Sequence, residues 1–533
     1  MGSGHFLVHA VNYLADRIVA FLAAHPGNPV IAAIERIRKA IVTDLKAQKL
    51  DEREIARITG KLTEINLIKR MVMKRCVYGV DFNPMAVELA KLSLWLDSFT
   101  LGAPLSFLDH HLKCGNTLIG AEVETVERTM EGGLFGTQFA GMLQATELMR
   151  EVGELTDATV AEVEESETKF DHARQALTPF IRLMNVWQAE SFGHANARKA
   201  LKHVGGQVDD IDHETKPSQT QALEEIVDRT TTTHRFFHWE LEFPEVWYGG
   251  GRRLDEPGFD AVIGNPPWVR QETLANLKKA LAETYPSVYD GVADIYVYVL
   301  ARGLAVLKPG GRLGFILPNK WLRANYGERL RDTLVTQYLP ELLVDFGHAP
   351  IFPDADTFPV VAIIRRPHPA DSMDTATLRV CPVPREALDE IKLTPFVEKH
   401  AFGVPTLLLK PQGWALEPPD VLRLFEKIKN SGQPLREVVG SPPLYGVKTG
   451  LNEAFFIDQA TRDRLITEDT KCESLIKKLI RGRNIQRWAA EWEKEGMDHR
   501  ASFKSQRGVA LGSLGGQAGE GRRDIQEKIP VAP

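Results

Sequence analysis

The sequence predicts an α/β protein built on a doubly wound, parallel, Rossmann-like sheet, and two observations carry that expectation. Strand-length apolar runs recur along the chain, in CVYGVD, FDAVIG, RLGFIL, LLVDF and FPVVAII. Helical patterns such as VADIYVYVLARGLAVL separate them, and strands joined through helices pair in parallel within one sheet.

The bulk numbers set the frame for each element. The chain has 533 residues, enough for two to four domains. Its formal net charge is -6, so any nucleic-acid surface has to be a local patch rather than a global field. Cys76, Cys114, Cys381 and Cys472 are far apart and form no CxxC pair. No disulfide framework or metal site is expected, and a reducing cytoplasm suits such a chain. No apolar run reaches the roughly 18 residues that a membrane span needs, and no signal peptide is read at the start.

Taken in order, residues 1–120 form the first part of the sheet domain. Residues 5–75 read as helices, with apolar positions three and four apart in IAAIERIRKAIVTDLKAQ and LTEINLIKRMVM. CVYGVDFNP is a short strand ending in an acidic turn. In the helix that follows, Val87, Leu89, Ala90, Leu92, Leu94, Trp95 and Leu96 cover nearly all sides, which predicts burial all round. Residues 121–235 are charged, helical and rich in Glu, Thr and Ala, and read as a helical insertion. The strands return over 236–400. Residues 401–500 change character again, and 501–533 are Gly-rich without any period, as in a disordered or aberrant tail.

Four short stretches carry chemistry. In GNPPW, Pro266 and Pro267 fix the backbone and remove two N–H donors, so carbonyl oxygens face outward beside the Asn265 amide. Two acceptors of that kind suit an exocyclic amine, and Trp268 offers a face on which a flat base can stack. A proline-rich turn with a core tryptophan reads equally well from these residues alone. Asp81 ends a strand, where a carboxylate can accept from ribose hydroxyls or cap the helix beginning near Met85. Asn116, in CGNTLIG, sits in a turn where it can meet an adenine edge. Gly2 and Gly4, in GSGHFL, permit close backbone approach to a ligand at a helix N-terminus. Leu7 stands where a third glycine would be, which disfavours a nicotinamide fold. Lys320, in LPNKW, can face a substrate or simply be solvated.

In this order, GSGHFL, GVDFNPMAVELAKLSLWL, CGNTLIG, FFHWELEFPEVW, FDAVIGNPPW, LKPGGRLGFILPNKWL and GVKTGLNEAFFID resemble the motifs of adenine-specific DNA methyltransferases of the NPPY class. The type IIG restriction–modification and phage-defence branch is the most similar, and the resemblance covers about residues 1–490. It implies a class I methyltransferase sheet followed by a partial target recognition domain of mixed α/β structure. S-adenosylmethionine is the implied cofactor, contacted by Gly2 and Gly4, with Asp81 on the ribose and Asn116 near the adenine. Asn265 and the Pro266 carbonyl would hold the target amine of double-stranded DNA, with Pro267 fixing the turn and Trp268 on the flipped base. The family more often has Tyr or Phe at that last position. Lys448, Arg481, Arg483 and Arg487 become candidates for phosphate or base contacts, against the reading of a solvated basic face. Whether a nuclease or other defence subunits accompany the chain is not legible.

In the family the glycine loop follows the first, central strand of the sheet, and this chain begins inside that loop. The expectation is therefore a fragment that lacks this strand and part of its recognition domain. Other functions stay open at this level: a methyltransferase for cytosine, RNA or protein glutamine; a DNA-binding remnant without catalysis; an unrelated cofactor-binding α/β domain. Product analysis separates the first, and salt-sensitive DNA binding without cofactor affinity marks the second.

Overall fold

The computed structural model describes residues 1–49, 51–129, 139–194, 227–269, 271–347, 351, 358–384, 388, 391–440, 456–478, 485–486, 489–490 and 499–501. The chain divides into two compact units, Met1–Asn430 and Ser431–Pro533.

The first unit opens with four helices, α1 (His5–Ala24), α2 (Pro29–Ala47), α3 (Glu52–Thr59) and α4 (Glu64–Arg75). Their starts are set chemically. The side chains of Asn28, Asp51 and Thr63 accept the N–H groups of Val30, Glu54 and Asn66, which satisfies amides a helix start leaves orphaned. Ile34, Ile37, Ile41 and Leu45, at helical spacing along α2, are buried with Leu7, Val11 and Ala15 of α1 and Leu67 and Ile68 of α4. By length and composition α1 is apolar enough to cross a membrane, contrary to the expectation that no run reaches that length. In the fold it lies on α4, its buried stripe facing the core.

Strands β1 (Gly79–Asp81) and β2 (Leu112–Cys114) pair in parallel, with α5 (Pro84–Asp97) between them in sequence. The expectation that α5 is buried all round fails. Val87, Ala90, Lys91 and Leu94 are buried, while Met85, Leu89, Leu92 and Leu96 are exposed. The physical reason is the narrow sheet: two strands of three residues offer one surface for one helical stripe, and the opposite stripe has no cover among the described residues.

The larger sheet has six strands in the order β10-β9-β7-β8-β6-β5. They are β5 (Phe259–Gly264), β6 (Leu307–Pro318), β7 (Leu339–Asp345), β8 (Pro359–Arg365), β9 (Thr377–Pro382) and β10 (Phe402–Pro405), preceded by a hairpin of β3 (Tyr248–Gly249) and β4 (Arg252–Arg253). β5 and β6 are parallel, as are β7 and β9, but β10 runs antiparallel to β9, and β8 runs antiparallel between β6 and β7. The all-parallel reading is corrected there, because no helix separates β7 from β8 among the described residues, and a connection without a crossover gives an antiparallel pair. The doubly wound α/β architecture holds, with α9 (Lys278–Thr284) and α10 (Ile295–Ala305) between β5 and β6, and α11 (Glu328–Gln337) between β6 and β7. Leu313, Phe315 and Leu317 of β6 meet Val360, Ala362 and Ile364 of β8 and Val297, Leu300 and Leu304 of α10 in the main core. β10 belongs to this sheet, so the first unit continues past the break expected after residue 400, through α12 (Leu393–His400) and α13 (Pro419–Asn430).

β5 is an edge strand, with Asp260, Ala261 and Ile263 exposed. Its outer edge carries no strand among the described residues, and β1 and β2 form a sheet of their own. The two sheets meet at the start of their strands, where the Tyr78 and Phe259 rings lie edge-to-face at 5.2 Å.

Between β2 and β5 come α6 (Val123–Thr129), α7 (Phe139–Glu154) and α8 (Val160–Ala189). Met142, Ala145 and Met149 of α7 pack against Ala173, Leu177 and Met184 of α8 in a separate cluster. A buried ion pair ties this pair of helices to α4. Asp157 takes the Lys74 ammonium and the Ser166 hydroxyl on Oδ1 and the Phe107 N–H on Oδ2. Burial draws the Lys74 pKa down to about 8 even with Asp157 beside it.

The second unit contains α14 (Leu435–Val439), α15 (Gln459–Glu468) and an antiparallel sheet of β11 (Phe456–Ile457), β12 (Ile476–Lys478) and β13 (His499–Ala501), with β13 central.

Candidate active site

Asp81 closes β1 and collects hydrogen bonds. Its Oδ1 accepts the Asn83 N–H at 2.9 Å, and its Oδ2 accepts the Gly2 N–H at 2.7 Å and faces the N-terminal ammonium of Met1 at 3.1 Å. Burial alone would raise this carboxyl; the Asn83 and Gly2 N–H groups and the ammonium outweigh it and hold it below the usual carboxylate range. Capping is not its role, because Asn83 caps α5 by accepting the Met85 N–H at 3.0 Å.

Gly2 and Gly4 both have left-handed backbone, at φ 58° and 85°. Gly4 is also a packing glycine: a Cβ there would stand 2.8 Å from the Ala90 Cα. Its close approach is therefore to α5, and this brings the start of α1 against the end of β1. No side chain caps α1, so its first-turn N–H groups and positive dipole end are left for an acceptor.

Cys114 of β2 pairs with Asp81 of β1, which puts the next turn beside the carboxylate. In that turn Asn116 bends back on itself, its Oδ1 accepting the Leu118 N–H at 3.2 Å, and its own N–H donates to the Arg235 carbonyl at 2.7 Å. The side chain that remains to meet a ligand is the amide NH2, a donor. The partner of this turn is the segment Arg235–His238, which comes after α8 in the chain. Phe236 bridges Asn116 in parallel, Phe237 N–H donates to the Ile119 carbonyl at 2.8 Å, and Ala121 N–H donates to His238 Nδ1 at 3.0 Å. Glycine is required at position 120, where a Cβ would lie 1.9 Å from the Phe237 oxygen. FFHWELEFPEVW thus holds CGNTLIG in place.

Sequence reasoning missed two residues of this cluster. Phe82 follows Asp81 and is 53% exposed, a large aromatic ring next to the carboxylate in sequence. Arg235 lies with its guanidinium 5.0 Å from the centre of that ring. The signals were available: an aromatic directly after a strand-ending Asp, and an Arg opening FFHWELEFPEVW.

GNPPW follows β5 directly. Asn265 and Pro267 are exposed, Pro266 is buried and Trp268 is half-buried. Just beyond it, the Val269 carbonyl accepts the Ile295 N–H at 3.2 Å and Asp294 Oδ1 accepts the Gln271 N–H at 3.2 Å. The turn is thereby fastened to the start of α10. The structure brings Gly2, Gly4, Asp81 and Asn116 into one cluster at the ends of β1 and β2, and places Asn265 to Trp268 at the end of β5 in the other sheet. Lys320, after β6, is exposed. Lys448, Arg481, Arg483 and Arg487 lie outside the described residues.

The family described as Eco57I restriction-modification methylase matches residues 75–352, more than half of the chain. The type II methyltransferase M.PaeR7I of Pseudomonas aeruginosa is 31% identical over 346 residues, which cover 60% of this chain and 55% of the relative. M.XhoI of Xanthomonas vasicola is 31% identical over 211 residues, 38% of each chain. M.BstVI of Geobacillus stearothermophilus is 26% identical over 219 residues, 38% of this chain and 37% of its own. The chain thus spans about half the length, or less, of these curated relatives.

Proposed function

We propose that this chain, which belongs to the Eco57I restriction-modification methylase family, transfers a methyl group from S-adenosylmethionine to the exocyclic amine of adenine in double-stranded DNA, within a restriction–modification or phage-defence system. One observation carries the reading: an exposed Asn265, a buried Pro266 and a half-buried Trp268 stand in one turn at the end of a parallel strand, pinned to α10. The M.PaeR7I, M.XhoI and M.BstVI relatives are type II methyltransferases by name, which supports DNA as the substrate.

The residues at the ends of β1 and β2 fit the cofactor by their donor set. Asp81 is an ionised acceptor for ribose hydroxyls, the exposed Phe82 ring suits a purine face, and the Asn116 amide donates to a ring nitrogen. The uncapped start of α1 offers N–H groups to a carboxylate. When bound, the cofactor supplies a methyl group on a sulfonium. The protein's part is orientation, which is where such a transfer gains most of its rate. Asn265 Oδ1 and the Pro266 carbonyl accept the two amine hydrogens, which leaves the nitrogen lone pair directed at the methyl group. Trp268 stacks on the base that has left the helix. Lys448, Arg481, Arg483 and Arg487 supply backbone or base contacts in this reading.

The test is transfer of labelled methyl from S-adenosylmethionine into plasmid DNA, followed by mass analysis of the nucleosides. N6-methyladenine supports the reading. N4-methylcytosine retains the amine chemistry and overturns the adenine assignment, and no incorporation into DNA overturns the function.

A further inference from the structure

We propose that Arg235 is a positioning residue of the cofactor pocket, fixing both of its walls from the far end of the insertion. The inference rests on the reading of Asp81, Phe82 and Asn116 as cofactor contacts. Arg235 is far from them in sequence, yet it is bonded to each wall. Its Nη1 donates to the Phe82 carbonyl at 2.5 Å and contacts the Cys114 sulfur at 3.2 Å, and its guanidinium carbon stands 5.0 Å from the centre of the Phe82 ring. Its backbone carbonyl accepts the Asn116 N–H at 2.7 Å. One residue therefore sets the depth of the ring that follows Asp81 and the placement of the turn that carries Asn116.

The backbone supports this role. Arg235 has φ 51°, one of three non-glycine residues with left-handed φ among the described residues. Such a conformation costs an L-residue free energy, of order 1 kcal/mol or more, and persists where surrounding contacts over-determine it. Here those contacts are the Arg235 N–H donated to the Thr231 carbonyl at 2.7 Å and the carbonyl bond to Asn116. The left-handed turn carries the chain from the helix ending the insertion into the segment Phe236–His238, and points the side chain back over Phe82. A planar guanidinium can donate and stack at once, and an ammonium cannot.

The experiment is calorimetric titration of S-adenosylmethionine and S-adenosylhomocysteine into the full chain and its Arg235→Asn and Arg235→Lys variants, with duplex DNA affinity and thermal midpoints measured in parallel. Asparagine tolerates the left-handed backbone and removes the guanidinium. The expected result is a loss of about tenfold or more in both ligands' affinity for Arg235→Asn, as removal of a charged donor implies, with incomplete rescue by Arg235→Lys. DNA affinity and thermal midpoint stay within error of the unmodified chain. The two ligands differ in the methyl group and the charge on sulfur, so an equal loss for both places the effect on the adenosyl and amino-acid parts they share and not at the sulfonium. Ligand affinities within twofold of the unmodified chain in a folded Arg235→Asn protein overturn the proposal. So does a loss that falls on DNA and ligands alike, which marks a global structural role. If the unmodified chain binds neither ligand, the cofactor reading itself fails, a result distinct from either of these.

Discussion

Asp81 Oδ2 accepts the N–H of Gly2 at 2.7 Å, which joins the loop before α1 to the end of β1. Oδ2 is filled by this bond and the Met1 ammonium, and Oδ1 takes the Asn83 N–H, so of two lone pairs on each oxygen the second on Oδ1 is left for a ligand. Asp81→Asn keeps the shape and loses the charge. Its affinity for S-adenosylmethionine falls by about tenfold or more, the scale of a hydrogen bond to a charged group, and calorimetric titration reads it. Unchanged affinity would remove Asp81 from the cofactor site.

Cys114 is an exposed thiol paired in register with Asp81, and Cys76 is an exposed thiol before β1. A bound cofactor covers the first and not the second. Alkylation by iodoacetamide, followed by peptide mass spectrometry, is therefore slowed at Cys114 by saturating S-adenosylmethionine and continues at the same rate at Cys76. Equal rates at Cys114 with and without the cofactor would place the ligand elsewhere.

At the end of β5, Asn265→Ala removes an acceptor that acts on the amine. The turnover rate drops by about a hundredfold or more, as for removal of other groups that stabilise only the reacting geometry, with the thermal midpoint unchanged because the side chain is exposed. Trp268→Ala acts on the base instead. It weakens productive DNA binding by about 1–3 kcal/mol, the worth of one base–aromatic stack, and Trp268→Tyr restores most of it. Steady-state kinetics with saturating cofactor distinguish the two.

Asp157 holds Lys74 in the interior, where both side chains are nearly inaccessible. Asp157→Asn leaves a buried ammonium with no counter-charge, and denaturant unfolding should show a loss of about 3–5 kcal/mol. Adding Lys74→Met to Asp157→Asn removes the unpaired ammonium and recovers part of that loss, while the asparagine tolerates the left-handed backbone at φ 50° and still accepts the Phe107 N–H.

Burial pushes the Glu245 carboxyl up to about 7, although His111 Nε2 lies 3.7 Å away; burial likewise draws His111 well below its usual value. The folded value lies above the unfolded one, so Glu245's contribution to stability is complete below about pH 4.3 and is lost as pH rises through 7. Glu245→Gln does not ionise. Its thermal midpoint matches the parent at low pH and exceeds it at pH 8, by an amount corresponding to about 3 kcal/mol for a shift of this size. A midpoint difference that does not grow with pH would mean that the Glu245 carboxyl ionises in the fold at its ordinary value.

The parts legible in the sequence were those written in one continuous stretch. The helices of residues 5–75 follow from apolar spacing, and the strand ending in Asp81 and the turn after β5 follow from GVDFNP and GNPPW. Partners distant in sequence were not legible. Nothing in FDAVIG says that β5 is an edge strand, because its composition is that of a strand covered on both sides. The α5 helix misled for a related reason: Leu89, Leu92 and Leu96 are apolar, but only contacts made elsewhere decide which stripe is covered. The antiparallel β8 depends on the connection from β7 rather than on the residues of FPVVAII. Arg235 was missed because its work is done across the whole insertion.

The chain passes Ala121 into α6, α7 and α8 and comes back beside it at Arg235, and the two passages are stitched together: Asn116 to Arg235, Ala121 to His238, and Val123 to Glu240 at 2.7 Å. This collar is not the only fastening: beyond it α7 and α8 are held to α4 through the Lys74–Asp157 pair, and their apolar cluster takes in Trp247 and Val306. Closing a longer loop adds only about 0.6 kcal/mol per doubling, so changes of length are cheap only where they spare α7, α8 and both fastenings. In evolutionary terms, the freedom of residues 121–235 to change the outer shape of the protein is confined to what lies between these fastenings, while the clasp keeps its chemistry in register.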